Sequence, residues 1–179
     1  MNKNDIFVKH IEDHLKDMNI KGKVMCKICN KDIDTIYEET KKHQIVTIFI
    51  DGSCKGNPGP GKALALFRAE KEWKKEKILN STTNNIAEYE ALLLALEELK
   101  MEVSYLTLTE SNKVLDITIY TDSKLIEGHI NKNWKVNTNL ELVNKAKYLV
   151  KEINKNHNIK IEWVPRDKNE AGILLESEI

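Results

Sequence analysis

A disulfide framework is missing from this chain. Three cysteines occur in 179 residues, and the polar start Met1-Asn2-Lys3-Asn4-Asp5 is not a secretory leader. That pairing excludes the small disulfide-stapled class and places the expected compartment in the reducing cytoplasm. Long apolar runs are missing too. None approaches the roughly 18 residues of a membrane span, so no membrane partner is expected. An excess of either charge is also absent, with Lys+Arg 28 against Asp+Glu 28. A nucleic-acid binder is usually basic, so a nucleic-acid function would have to rest on how charge is distributed. A site that collects carboxylates for metal ions would itself lower the sum. Internal repeats and low-complexity tracts do not occur.

With 41% hydrophobic and 31% charged residues, the composition is that of an ordinary globular protein. The length suits one well-buried domain and a small appendage, expected as a monomer. The pattern changes near residue 44. Residues 1–44 are rich in charge, with two of the three cysteines and three of the five histidines; they read as an amino-terminal extension. Residues 45–179 read as an α/β domain. Ile45-Val46-Thr47-Ile48-Phe49-Ile50 is a β-branched run suited to a central strand, and the glycines and prolines of 51–61 predict a loop after it. Strands are predicted at 63–70 and 73–79. Ser81-Thr82-Thr83 offers N-cap hydroxyls for a helix to Lys100, and 101–115 reads as a polar insertion. A strand at 117–120, a helical stretch, a helix at 139–153, a strand at 159–164 and a helix from Glu170 complete the order, which predicts one mixed sheet flanked by helices.

Three acids interrupt that pattern. Asp51 closes an apolar strand and shares a face with Thr47 and Phe49 at period two. Asp122 closes the strand Ile117–Tyr120. Glu88 falls on one helical face with Leu92, Ala95 and Leu99, whereas Glu90 and Glu97 fall on the other. A lone acid at the end of an element is commonly a solvated cap. Three that converge among apolar neighbours need a positive counterpart. No cluster of Arg or Lys stands beside them in the sequence, so a divalent cation is the expected partner. Oxygen-only ligands select hard ions such as Mg²⁺ or Mn²⁺.

The residues around these acids carry a resemblance. Asp51-Gly-Ser-Cys-Lys-Gly-Asn-Pro-Gly-Pro-Gly61, Thr83-Asn-Asn-Ile-Ala-Glu88-Tyr-Glu-Ala-Leu and Thr121-Asp122-Ser123 resemble, in order and spacing, three motifs of the type 1 ribonuclease H family. Ile161-Glu-Trp-Val-Pro-Arg166-Asp-Lys-Asn169 is similar to the approach to its fourth. The resemblance covers residues 45 to about 175. It implies a five-stranded mixed sheet, three antiparallel strands plus parallel ones, with helices on both faces. It implies Asp51, Glu88 and Asp122 as ligands of two Mg²⁺ ions, and endonucleolytic hydrolysis of the RNA strand of RNA–DNA hybrids to 5′-phosphate and 3′-hydroxyl ends. Hybrids would be recognised through backbone shape and 2′-hydroxyls. By motif matching, Cys54, Lys55, Gly56, Asn57 and Asn84 would face the RNA strand. Asn57 and Thr83 would hold a DNA phosphate, and Ser123 joins the substrate-contacting set.

Three departures shape the expectation. The slot of the family's fourth acid falls on Gly172 or Ile173, neither a ligand, and Glu176, one turn beyond Gly172, is the candidate replacement. The loop Pro165-Arg166-Asp167-Lys168 lacks the histidine many members carry. The basic protrusion some members use is reduced to Asn131-Lys132-Asn133-Trp134-Lys135-Val136, which predicts weaker, more salt-sensitive binding. The alternative is a catalytically impaired hybrid-binding protein with the same fold. In the extension, Cys26-Lys27-Ile28-Cys29 has knuckle spacing. One structural Zn²⁺ on Cys26, Cys29 and His43, or on His10 or His14 in place of His43, is set against free thiols.

Overall fold

The computed structural model describes residues 43–109 and 113–177. Five strands and four helices follow in the order expected from the sequence. They are β1 (His43–Cys54), β2 (Gly59–Arg68), β3 (Glu72–Thr82), α1 (Asn84–Thr109), β4 (Val114–Thr121), α2 (Lys124–Asn131), α3 (Leu140–Ile153), β5 (Asn158–Trp163) and α4 (Glu170–Ser177), with a 3-10 turn at Arg166–Lys168 before α4. The sheet order is β3-β2-β1-β4-β5. β2 runs antiparallel to β1 and to β3, while β4 and β5 are parallel, so the expected mixed five-stranded sheet is present. Among the described residues no helix is long and apolar enough to cross a membrane. Cys26 and Cys29 of the zinc expectation, with His10 and His14, lie outside the described residues, while His43 opens β1.

Two boundaries differ from the sequence reading. The glycine- and proline-rich run 51–61 is mostly strand. Pairing continues from Thr47↔Arg68 out to Cys54↔Gly61, so only residues 55–58 turn. The ladder satisfies backbone groups that a free loop would leave to water. The stretch read as a polar insertion from Met101 continues α1 to Thr109. No Gly or Pro stands between Met101 and Thr109, and a helix already nucleated propagates through polar residues until something stops it.

Alternation decides which face each strand residue serves. Val46, Ile48 and Ile50 of β1, Ala63, Ala65 and Phe67 of β2, and Ile117 and Ile119 of β4 point to one face. There they pack against Leu92, Ala95, Leu96 and Leu99 of α1, Ile126 of α2 and Val143, Ala146 and Leu149 of α3. Each fully buried aliphatic side chain contributes about 1.5–3 kcal/mol. On the other face Leu64 packs with Ala171 and Leu175 of α4, flanked by Phe49 and Leu174. Helices therefore cover both faces. His157, just before β5, is a buried brace whose Nδ1 accepts the Leu115 N–H at 3.1 Å. Burial pushes its pKa down, which favours the neutral ring that such an acceptor role requires.

β3 is an edge strand, exposed along most of its length. Lys74, Glu76 and Lys77 stand on it, with Lys74 and Lys62 paired to Glu76, and Lys77 to Glu90 of α1.

Gly52 sets how α1 meets the sheet. A Cβ there would lie 2.1 Å from the Ala87 carbonyl carbon and 2.4 Å from the Glu88 nitrogen. Both are backbone atoms, so no side-chain rotation could relieve the clash. Gly52→Ala should therefore cost about 3 kcal/mol or more, read as a lower melting temperature in metal-free buffer. A loss below about 1 kcal/mol would mean that α1 can shift along β1 freely, and that its position over Asp51 is not fixed by this contact.

Candidate active site

Phe49 and Tyr120 stack across the α4 face of the sheet, with ring centroids 5.2 Å apart. Two residues further along the same strand direction, period two places Asp51 after Phe49 and Asp122 after Tyr120 on that face. Both acids thus arrive at one end of the sheet on adjacent strands. Glu88 arrives from the other side, because the first turns of α1 cross the end of β1 at Gly52. The three acids expected from the sequence are brought together.

Their environments differ. Asp51 is 3% exposed, and its Oδ2 has no hydrogen-bond partner. Burial raises its pKa to about 7, with Asp122 and Glu88 pushing in the same direction and Arg166 opposing. Glu88 is also held above the usual carboxylate range, first by burial and then by Asp122, while a hydrogen bond from Ser123 opposes. That bond runs from Ser123 Oγ to Glu88 Oε2, and the same hydroxyl accepts the Ile126 N–H as the N-cap of α2. Ser123, expected to touch substrate, has its side chain turned inward to position Glu88. Asp122 is held on three sides. Asn169 Nδ2 donates to its Oδ1 at 2.9 Å, Arg166 Nη1 donates to its Oδ2 at 2.9 Å, and Trp163 Nε1 donates to its carbonyl at 3.0 Å.

Arg166 corrects one expectation. The sequence places no basic cluster beside the acids, yet Arg166 pairs with Asp122 across 44 residues of chain. Local pattern carries no trace of such a contact. Asn169 stands in the run similar to the fourth motif, but its bond to Asp122 escapes sequence reasoning for the same cause. It is fully buried and also donates to the Ile50 carbonyl at 3.0 Å, joining the ends of β1 and β4 to the start of α4. Its place directly before an apolar helix is the available clue.

Of the two candidates for the fourth position, Gly172 is the one that lies against Asp51. A Cβ there would lie 3.3 Å from Asp51 Oδ2, while Ile173 is half exposed. Glu176, the candidate replacement, accepts from Arg166 Nε at 2.9 Å and Nη2 at 2.8 Å. Glu170 is paired with Arg68 instead.

The turn after β1 packs against the start of α1. Gly56 sits at φ 90°, in the left-handed region that favours glycine. Cys54 Sγ lies 2.7 Å from the Gly56 carbonyl and 3.0 Å from Asn84 Oδ1. Asn57 Oδ1 accepts the Asn84 N–H at 3.3 Å, and Thr83 Oγ1 accepts from Ile86 N. Cys54, Gly56, Asn57, Thr83 and Asn84 thus form one surface over the N-terminus of α1. Lys55 stands exposed in the same turn.

The donors fit a hard divalent cation. Three carboxylates meet, two with raised proton affinity and one with an oxygen unmatched by any hydrogen bond. Their side chains do not converge tightly enough to form a ligand array, and among the described residues no group of three or more His, Cys, Asp or Glu is so arranged. The reason is visible in the bonds above, since both Asp122 oxygens and one Glu88 oxygen are already engaged.

Comparison with known proteins bears on the same residues. A model of the RNase H family matches residues 42–172. Ribonuclease H of Francisella tularensis subsp. novicida is 36% identical over 145 residues, covering 74% of this chain and 86% of the relative. Among solved structures, LC11-RNase H1 in complex with an RNA/DNA hybrid aligns with TM-score 0.61 at 29% identity, over 73% of this chain and 92% of that one. The N-terminal RNase H domain of rv2228c from Mycobacterium tuberculosis aligns with TM-score 0.57 at 25% identity, over 75% and 98%.

The raised pKa of Asp51 has a stability consequence whose sign is fixed. An acid whose folded pKa lies above its unfolded value stabilises the fold when protonated, and that contribution is lost as pH rises. The window here runs from about 4 to about 7. In EDTA, Asp51→Asn should match the unmutated protein near pH 4 and exceed it at pH 8. The gain should be a few kcal/mol, with about 4 as the ceiling from roughly 1.4 per pH unit. Equal pH profiles for the two proteins, followed by chemical denaturation, would refute the burial and repulsion assigned to Asp51.

Proposed function

The chain belongs to the ribonuclease H family, and on that premise we propose that it hydrolyses the RNA strand of RNA–DNA hybrids, with Asp51, Glu88 and Asp122 holding two Mg²⁺ or Mn²⁺ ions. The observation that carries this reading is the gathering of three carboxylates at one end of the sheet, close enough to shift one another's ionisation, with one of them buried and holding an unmatched oxygen. Bound there, such ions supply an activated water and charge stabilisation for the leaving oxygen, leaving 5′-phosphate and 3′-hydroxyl ends.

The remaining residues take roles from their contacts. Ser123 fixes the rotamer of Glu88, and Asn169 fixes that of Asp122 while tying both strands to α4. The surface of Cys54, Lys55, Gly56, Asn57, Thr83 and Asn84 adjoins the acids through Asp51 and α1. It presents amide groups, backbone and one lysine, which suits reading of backbone and 2′-hydroxyl rather than base sequence. The structural neighbour solved with an RNA/DNA hybrid supports that substrate. Gly172 leaves the fourth position without a side chain, so the chemistry rests on three carboxylates.

Asp122→Asn should fold, as read by circular dichroism, and should still bind a labelled hybrid. Its cleavage of the RNA strand in Mg²⁺ should fall by on the order of 10²- to 10³-fold or more. The unmutated protein should cut the RNA strand and spare duplex DNA. If it binds hybrid yet cuts nothing with Mg²⁺ or Mn²⁺, the impaired hybrid-binding reading, which Gly172 favours, takes the place of this one.

A further inference from the structure

Only two arginines occur in the chain, Arg68 and Arg166. Both are fastened to glutamates of α4, Arg68 to Glu170 and Arg166 to Glu176. Arg166 alone reaches a further partner inside the site, where its Nη1 takes Asp122 Oδ2 at 2.9 Å. Both oxygens of Asp122 are therefore in use, one by Arg166 and one by Asn169. Each oxygen keeps a second lone pair, so hydrogen bonding alone does not bar a divalent cation, but the Arg166 guanidinium 2.9 Å away opposes it by like charge.

The two partners are not equally free to leave. Asn169 is fully buried and simultaneously donates to the Ile50 carbonyl, so its displacement would open the junction of β1, β4 and α4. The Arg166 side chain is 56% exposed, against 11% for Asp122. Its remaining nitrogens already rest on Glu176, itself 59% exposed. Withdrawal of the guanidinium from Asp122 gives up one ion pair and the counter-charge it lends Asp51 and Glu88, but opens no junction between elements.

We propose that Arg166 is a built-in counter-cation of the site: a positioning residue that holds Asp122 until a divalent ion takes the carboxylate, with Glu176 keeping the released guanidinium beside the site. The inference rests on the reading of Asp51, Glu88 and Asp122 as a divalent-ion site. It assigns Glu176 an action through Arg166 and not through the metal. The physical basis is competition. A monovalent cation already neutralising Asp122 weakens the apparent affinity of the ion that must replace it, and Glu176 weakens that monovalent hold in turn by sharing the same guanidinium.

Affinity and metal-free stability of the full chain test this. Mn²⁺ binding can be followed by electron paramagnetic resonance, with the melting temperature in EDTA at pH 8 as a second readout. Arg166→Gln should bind Mn²⁺ about threefold more tightly, the scale of one partly exposed ion pair, and should melt lower in EDTA because the acids lose their counter-charge. Arg166→Lys should restore most of the competition. Glu176→Gln should bind Mn²⁺ roughly twofold more weakly, and this effect should vanish in the Arg166→Gln background. If Glu176→Gln weakens binding equally in both backgrounds, Glu176 is a ligand in its own right and its assignment here is wrong. If the unmutated protein binds Mn²⁺ but Arg166→Gln binds no more tightly, the counter-cation role is wrong while the metal site stands. If the unmutated protein binds no Mn²⁺, the metal-site reading fails and takes this inference with it. The EDTA arm separates the cases further, because Arg166→Gln should lower the melting temperature far less when Asp122→Asn is already present.

Discussion

Like charge held at short range is the constraint that organises this molecule. Asp122 raises the cost of ionising both Asp51 and Glu88, Glu88 adds to that cost at Asp51, and Asp51 bears it in a position almost closed to water. A fold can tolerate such a cluster only by supplying donors from elements that would not otherwise meet. Ser123 supplies one from the cap of α2, Asn169 one from the start of α4 and Arg166 one from the turn after β5, while Trp163 at the end of β5 holds the Asp122 backbone carbonyl. The ends of β1, β4 and β5, with α2 and α4, are thus tied together through the acids. The polar junction and the apolar core are separate devices. The helices α1 to α3 fix the sheet, and the carboxylates fix what gathers at its end.

Much of this could be read from residue order. Period-two alternation put Asp51 on the face of Phe49, and the structure keeps it there beyond the Phe49–Tyr120 stack. Helical periodicity separated Glu88 from Glu90, which pairs outward with Lys77. The succession of strands and helices along the chain followed from the alternation of short apolar runs with helix-forming ones. What escaped was non-local. Arg166 and Asn169 find Asp122 across more than forty residues, and nothing in a window of the sequence encodes that. The ambiguity between Gly172 and Ile173 was of the same kind, because a helix of eight residues can be aligned on either neighbour until packing chooses. The continuation of α1 past Met101 has a different cause, since polar composition by itself does not stop a helix where no stopping residue is present.

Gly172 and Gly52 show two ways a missing side chain shapes the site. At Gly52 the absence lets a helix backbone come within contact of a strand, which is how Glu88 gains its place. At Gly172 the absence lets the α4 backbone stand against the unmatched oxygen of Asp51, which a Cβ would approach to 3.3 Å. The first is a packing requirement with no alternative. The second removes a carboxylate from a place where it would have added to the repulsion.

The edge strand β3 bears on how copies of this chain meet one another. With 28 basic and 28 acidic residues, the molecule has no net charge to keep copies apart, and colloidal repulsion of the ordinary kind is weak. An unpaired strand edge under those conditions is a template for another chain's edge. β3 presents Lys74, Lys75 and Lys77 along that edge, with Glu76 between them. A second copy docking there in antiparallel register would bring lysine rows together and pull Lys74 and Lys77 from their glutamates. Resistance to edge-to-edge association along β3 is thus lodged in a few alternating side chains of one strand, and charge-removing substitutions there would favour pairing between copies.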